Sequence, residues 1–304
     1  MLELVFDQVT KTFRGPNGTT ATAVDGVSFH LAEGESVALV GESGSGKSTV
    51  ARLATRLERP TAGTVSLEGM PLQAVADLPY RVQMIFQDPF SSLNSVHTVG
   101  YSIQRPIAVK ERISSPKARL KACQALQRVG LTPPEPFMEK RVVQLSGGQR
   151  QRANIARAIA LSPRFMIADE PTSMLDVSVG LGILNLLVDL RAEEMALLFI
   201  THNLAAARYV ADRVIVLYRG TIVESGAIDD VIQRPLHPYT QDLVAATPDP
   251  ALPFVGGRLG DPETVEVGWC PFAPRCTRRT ARCETPILRR VVESGHSVRC
   301  TLYE

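Results

Sequence analysis

No stretch of this 304-residue chain is apolar for long enough to cross a bilayer. A membrane span needs about 20 consecutive apolar residues, and the longest candidates here, such as 195–200, have the length of a strand. The opening residues, Met1-Leu2-Glu3-Leu4, lack the basic and apolar stretches of a secretory leader. These two absences make the cytosol the expected location. Neither sign of charge dominates. Against 33 basic residues stand 31 acidic ones, a net charge of +2, which gives no footing for general nucleic-acid binding. Internal repeats, low-complexity tracts and coiled-coil heptads are also missing. Cysteine is sparse until late in the chain: Cys123 stands alone, and the other four fall between Cys270 and Cys300.

What is present fits a globular chain with a sizeable core, 44% hydrophobic and 21% charged. Its length allows one large α/β domain with an extension, or two domains. Residues 2–31 alternate apolar and polar around turn residues at 14–17, which predicts an antiparallel β region. Strands are predicted at 36–40, 63–68 and 82–86, and a helix over 48–57. A largely helical insertion runs from about 88 to 161. Within it, 115–129 has helical periodicity and Gly130 stands at the C-cap. Then 165–168, 177–191, 196–200, 204–211 and 213–218 alternate strand and helix, the pattern of a mainly parallel, doubly wound α/β sheet. Prolines crowd from Pro235 to Pro286, so a separate, loop-rich extension is expected over 236–304 after a core unit over 1–235.

Gly41-Glu42-Ser43-Gly44-Ser45-Gly46-Lys47-Ser48-Thr49 fits G-x-x-x-x-G-K-[ST], a phosphate-binding loop. The bland alternative is a glycine-rich turn with an incidental lysine. The buried strand before the loop and the helix after it supply the setting the motif needs. Glycines let the backbone curl its N–H groups toward phosphate oxygens, and the helix N-terminus adds partial positive charge. Lys47 is expected on the β- and γ-phosphates and Ser48 on Mg²⁺. Further on, the apolar run at 165–168 ends in Asp169-Glu170. Two adjacent carboxylates are most often a solvated turn. After such a strand, and with a phosphate loop in the same chain, Asp169 is expected to hold Mg²⁺ and Glu170 to polarise the attacking water. This reading supposes that the 165–168 strand lies beside the strand of the phosphate loop.

Leu145-Ser146-Gly147-Gly148-Gln149 opens a strongly helix-favouring run at 150–160 and forms a second anion site. An ordinary capped helix would look the same. Two phosphate sites in one chain make sense if the second serves the nucleotide of another chain.

These residues resemble the signature motif of ABC ATPases, and the resemblance runs the length of the chain in the order of that family. It implies two ATP molecules sandwiched in a head-to-tail dimer. Gln87 resembles the Q-loop glutamine, which touches Mg²⁺ and the attacking water and faces the membrane partner. Ser173-Met174-Leu175-Asp176 resembles the D-loop, with Met174 where alanine is more usual. His202 resembles the switch histidine near the γ-phosphate, and Asn203 departs from the usual aspartate after it. Phe13 lies where the family has an aromatic that stacks on adenine. Taken singly, His202 and Phe13 would be read as structural; their joint order gives them weight.

Residues 86–94, 237–240 and 270–276 further resemble the oligopeptide/dipeptide/nickel importers, with Ser95 replacing a common proline. A plain helix start with Pro238 in its first turn is compatible with that. The resemblance implies an ATP-hydrolysing subunit that powers import of a peptide or related small solute from the cytoplasmic face of the cell membrane. It also implies a second, identical or homologous ABC ATPase, two transmembrane permease subunits, and an extracytoplasmic solute-binding protein. ATP and Mg²⁺ are the implied cofactors. A soluble ABC ATPase acting on nucleic acid or ribosomes is the alternative; such proteins tend to fuse two cassettes or insert coiled coils, and this chain has one motif set and no heptads. An exporter ATPase is disfavoured by the importer-like extension.

Cys270, Cys276, Cys283 and Cys300 complete the list of candidates. Disulfides are rare in the cytosol, and four thiolates suit a [4Fe–4S] cluster or tetrahedral Zn²⁺. The spacing is looser than the paired C-x₂-C of zinc ribbons, and unliganded buried cysteines are a third reading. Some members of the importer family carry an iron–sulfur cluster in this extension, which makes [4Fe–4S] the expectation and zinc the alternative. Its role is expected to be structural, with no direct part in hydrolysis.

Overall fold

The computed structural model describes residues 2–15, 18–192, 194–246, 269–287, 289–293 and 295–303. Part of the turn expected at 14–17, and 247–268 of the proline-rich extension, lie outside the described residues. The chain begins with strands β1 (Glu3–Arg14), β2 (Thr20–Ala32) and β3 (Ser36–Val40), then helix α1 (Lys47–Ala54). Next come β4 (Ala62–Leu67), β5 (Met70–Pro71), α2 (Leu78–Arg81) and β6 (Val82–Ile85). The helices α3 (Val99–Glu111), α4 (Ser115–Arg128), α5 (Pro134–Glu139) and α6 (Gly147–Ile159) follow. The core resumes with β7 (Phe165–Asp169), α7 (Val177–Arg191), β8 (Ala196–Thr201), α8 (Leu204–Val210), β9 (Arg213–Tyr218) and β10 (Thr221–Ala227). It ends with α9 (Ile228–Gln233), α10 (Pro238–Ala245), β11 (Arg290–Glu293) and β12 (His296–Val298).

β1 and β2 pair antiparallel, as their alternation predicts, and join β4 and β5 in a four-stranded sheet ordered β2-β1-β4-β5. The second sheet runs β11-β12-β10-β9-β3-β8-β7-β6. Its β9, β3, β8, β7 and β6 are parallel, and β10, β12 and β11 add antiparallel strands at one edge. Parallel strands must bury both faces, and here successive side chains divide between different cores. In β8, Ala196, Leu198 and Ile200 pack toward the antiparallel sheet and α1, whereas Leu197 and Phe199 pack with the helical insertion. β3 divides likewise: Val37 and Leu39 join the α1 core, and Ala38 and Val40 face the side that carries Tyr239 and Phe272.

Local signals set the element ends. Gly130 has φ +76°, and the N–H groups of Gly130 and Leu131 bond back to Gln127 and Leu126 O, which closes α4. The helix expected over 48–57 stops at Ala54. Arg56 there has φ +59°, and its guanidinium donates to Leu72 O and Val75 O.

The extension is loop-rich but not set apart. Its hairpin of β11 and β12 pairs with β10, and Phe272, Ala273 and Cys283 share a core with Ala38, Val40 and Val216. Glu224 on β10 is fully buried. Its carboxylate accepts from the N–H of Leu236 and of His237, both at 2.8 Å, and lies 2.7 Å from His296 Nε2. A buried carboxylate is tolerable only with such partners, so the three bonds fix the start of the extension and its last hairpin to the main sheet. Among the described residues no helix is long and apolar enough to cross a membrane.

Candidate functional site

The C-terminal ends of the parallel strands share one edge of the sheet, the edge where ligands of doubly wound sheets bind. The loop after β3 lines it. A Cβ at Gly46, where φ is +103°, would come 2.2 Å from Ala23 O, and one at Gly41 2.2 Å from Leu217 O. Only glycine lets the loop lie this close to its neighbours. Ser43 and Gly44 are exposed and Ser45 is buried. Lys47, 5% exposed, donates from Nζ to Gly41 O and Glu42 O, both at 2.8 Å, and so ties the loop to itself. Burial holds its ammonium below the usual lysine range, opposed by the charges of Glu170, Asp169 and Glu42. Thr49 follows in the first turn of α1.

Asp169 ends β7. Its Oδ1 accepts from Ser48 Oγ at 3.3 Å, and burial raises its carboxyl above the usual range against that bond. β7 is not the neighbour of β3, as the sequence suggested. β8 lies between them. Asp169 still meets Ser48, because both strands end on that edge and α1 carries Ser48 across. A serine hydroxyl and a carboxylate are hard oxygen donors of the kind Mg²⁺ takes, so this pair fits that ion.

Glu170 stands one residue further, at φ +44° with its N–H bonded to Ile200 O. A non-glycine residue in that region is unusual and concentrates at functional sites. Gln87 Nε2 donates to Glu170 Oε2 at 3.1 Å, and His202 Nδ1 lies 3.3 Å from Oε1. Two residues far apart in sequence thus meet on one carboxylate. Phe13 is 38% exposed on β1, with the Lys11 ammonium 4.9 Å from the centre of its ring.

Ser146, Gly147, Gly148 and Gln149 start α6. Ser146 and Gln149 form a capping box, each side chain accepting the other's backbone N–H. A Cβ at Gly148 would press within 2.5 Å of Val179. Asp176 caps α7 through Val179 N–H and the Ser178 hydroxyl, bonds that hold its carboxyl below the usual range.

Cys270, Cys276, Cys283 and Cys300 are all free thiols and line one small cavity with His237 and Thr301. Burial pushes the Cys270 thiol up to about 11. Burial would raise Cys283 too, but hydrogen bonds from Thr280 and Thr301 outweigh it and bring that thiol down. His237 is buried and its imidazole is pushed down to about 3; Nδ1 accepts from Tyr239 N–H, and Nε2 lies 3.8 Å from Cys270 Sγ. The four thiols converge as the sequence suggested. Even so, among the described residues no three His, Cys, Asp or Glu side chains are grouped so as to hold a metal ion. Their donor chemistry suits a cluster; their spacing as it stands does not.

Sequence reasoning missed one contact. Glu42, inside the phosphate loop, pairs with Arg275 and Tyr239 of the extension. No local pattern could have found it, since 233 residues separate Glu42 from Arg275.

A phosphate loop whose serine meets the carboxylate ending another parallel strand defines a nucleotide-hydrolysing α/β cassette. The ABC transporter family profile matches residues 24–173, and that of the oligopeptide/dipeptide transporter C-terminal region matches 223–283. The chain belongs to the ABC transporter ATP-binding proteins and is an ATPase of that family. It is 42% identical over 281 residues to the di/tripeptide transport ATP-binding protein DppF of Pseudomonas aeruginosa, covering 88% of this chain and 86% of that protein. To the oligopeptide transport ATP-binding protein AppD of Bacillus subtilis it is 40% identical, covering 93% and 91%. Among solved structures, the dimeric ATP-binding cassette MJ0796 in a post-hydrolysis state with ADP and Pi matches with a TM-score of 0.67 at 31% identity. That match covers 74% of this chain and 98% of the cassette.

Glu170→Gln is expected to keep ATP binding and slow hydrolysis by about 10²-fold or more, the range typical of a lost general base. Equilibrium ATP binding and steady-state turnover on the same preparation check this, and near-normal turnover would remove Glu170 from its role.

Proposed function

We propose that this chain is the ATP-hydrolysing subunit of an importer for peptides or a related small solute, docked on the cytoplasmic face of the cell membrane. In this reading residues 1–235 form the ATPase unit, with its helical insertion at about 88–161, and 236–304 the importer-type extension. One observation carries the solute class: likeness to peptide transport ATP-binding proteins extends over most of the chain, extension included. The other parts of the complex are a second ATPase, identical or homologous, two permease subunits, and a solute-binding protein outside the membrane.

Residues divide the chemistry as follows. Loop N–H groups from Ser43 to Thr49 face the phosphates. Lys47 leaves its two carbonyl partners for the β- and γ-oxygens. Ser48 and Asp169, together with Gln87, would hold Mg²⁺, which would supply charge neutralisation. Glu170 takes the proton of the attacking water, with Gln87 and His202 orienting its two oxygens. Phe13 stacks on the adenine. Ser146, Gly147, Gly148 and Gln149, with Asp176 beside them, serve the nucleotide held by the partner. Support for the shared site comes from the capped, exposed start of α6 and the dimeric cassette of similar fold.

Mixing Ser146→Arg chains with Lys47→Ala chains tests the shared site. In a homodimer each mixed pair regains one intact composite site, so hydrolysis should partly return. Concentration-independent hydrolysis by monomers would contradict it. The solute class is tested with the intact complex in vesicles. Its ATPase should rise when the solute-binding protein is loaded with di- or tripeptides, and stimulation by sugars alone would exclude the peptide reading.

A structural [4Fe–4S] centre on Cys270, Cys276, Cys283 and Cys300, or zinc in its place, completes the reading. Convergence of four thiols supports it; their present spacing requires them to draw closer. Anaerobically purified protein is expected to hold about four irons per chain, lost on any Cys→Ser change while ATP binding persists. Four titrating thiols with neither iron nor zinc would rule the centre out.

A further inference from the structure

We propose that the C-terminal extension clamps the phosphate loop: Arg275 and Tyr239 hold Glu42 and so position the loop for ATP. This rests on the phosphate-loop reading above and adds positioning residues from outside the nucleotide motifs.

Arg275 Nη1 donates to Glu42 Oε2 at 3.0 Å, and Nη2 donates to Oε1 at 3.2 Å. This is a two-pronged, charge-assisted pair whose planar geometry fixes direction as well as distance. The backbone of the same residue is held separately: Glu42 N–H donates to Tyr239 Oη at 2.9 Å. On its other side Glu42 O accepts from Lys47. One loop residue is therefore tied at its carboxylate, its N–H and its carbonyl.

The clamp itself is rigid. Tyr239 is 1% exposed. Its ring packs 4.5 Å from Tyr218 and 5.5 Å from Phe272, and the Arg275 guanidinium sits 5.5 Å over Phe272. Tyr218 ends β9, the strand whose Leu217 O limits Gly41. The aromatic cluster is thus seated on the same strand that shapes the loop.

Charge gives the pair its meaning. A carboxylate inside an anion-binding loop repels phosphate unless a cation offsets it. Arg275 supplies that cation and turns Glu42 into a handle. A loop ordered before ATP arrives gives up less conformational freedom on binding.

Titration of the full-length chain with MgATP at equilibrium tests the clamp. Arg275→Met should raise the Kd for ATP at least fivefold with kcat at saturating ATP within twofold. Arg275→Lys should recover part of the loss, and Tyr239→Phe should weaken binding too. Glu42→Gln is the decisive variant. Loss of a negative charge near phosphate would by itself tighten ATP binding, so weaker binding marks positioning. In the double variant Arg275→Met with Glu42→Gln, binding should be no weaker than in the worse single one. If Glu42→Gln binds ATP as tightly as the unaltered chain or tighter, or if the two losses simply add, the clamp is wrong. Should Arg275→Met fail to fold, Glu42→Gln and Tyr239→Phe decide. Lys47→Ala separates the two readings: retained ATP binding there overturns the phosphate loop itself. Loss there, with Glu42→Gln unaffected, overturns the clamp alone.

Discussion

Burial of both faces of the parallel strands is the constraint on which the site depends. Between their end residues β3, β7 and β8 are apolar, because alternate side chains enter different cores. Such strands have no place for a polar group until they end. The first residues free of that demand are Gly41 after β3, Asp169 and Glu170 at and after β7, and His202 after β8. The chemistry is therefore collected at one edge by the packing of strands that themselves do none. Gln87 follows β6 by the same rule, which brings it to Glu170 from the far edge of the sheet.

The second dependence is on Glu224. Its buried carboxylate holds the N–H groups that precede α10 and the histidine of the last hairpin. α10 then carries Tyr239 to Glu42, and the turn at Ala273–Arg275 carries Arg275 to the same residue while flanking the thiol cavity. Distance along the chain suggested that the cysteines stand apart from hydrolysis. In space they adjoin residues that touch the phosphate loop. The extension therefore touches the phosphate loop whatever occupies its cavity.

Much of this was legible in the sequence, for reasons that can be named. The phosphate loop, the 165–168 strand and the helix start at Ser146 are local patterns, and local patterns fix local backbone. β3, α7 and β9 fall on the residues that alternation and periodicity predict. Strand order was not legible. Adjacency of β3 and β7 was a natural guess from the carboxylates, yet β8 separates them, because order depends on crossover packing rather than on strand composition. Pairing of β12 with β10 was hidden as well. Short strands such as His296–Val298 carry too few residues for an alternation to register. The Arg275–Glu42 pair was hidden because each partner has an ordinary local reading, a basic face and a loop residue.

The electrostatics of the site favour a bound polyanion with a divalent cation. Lys47 is buried and held below its usual range, while buried Asp169 is held above its own. Both shifts express one cost, the loss of water around a charge. Phosphates at the loop would offset that cost for Lys47, and a divalent cation would do the same for Asp169. The loop behind Gln87 then relates this change to the insertion. Asp88 caps the turn of Pro89–Ser91, the Arg150 guanidinium lies 3.9 Å over the Phe90 ring, and Ser92 Oγ donates to Asn154 Oδ1 at 2.6 Å. Arg150 and Asn154 belong to α6, the helix that Ser146 caps. Glu170 contacts Gln87, and the loop after Gln87 contacts α6, so the Glu170 carboxylate is linked through that loop to the helix that Ser146 caps. That continuity is what a cassette needs if occupancy of its own site is to alter its hold on the other.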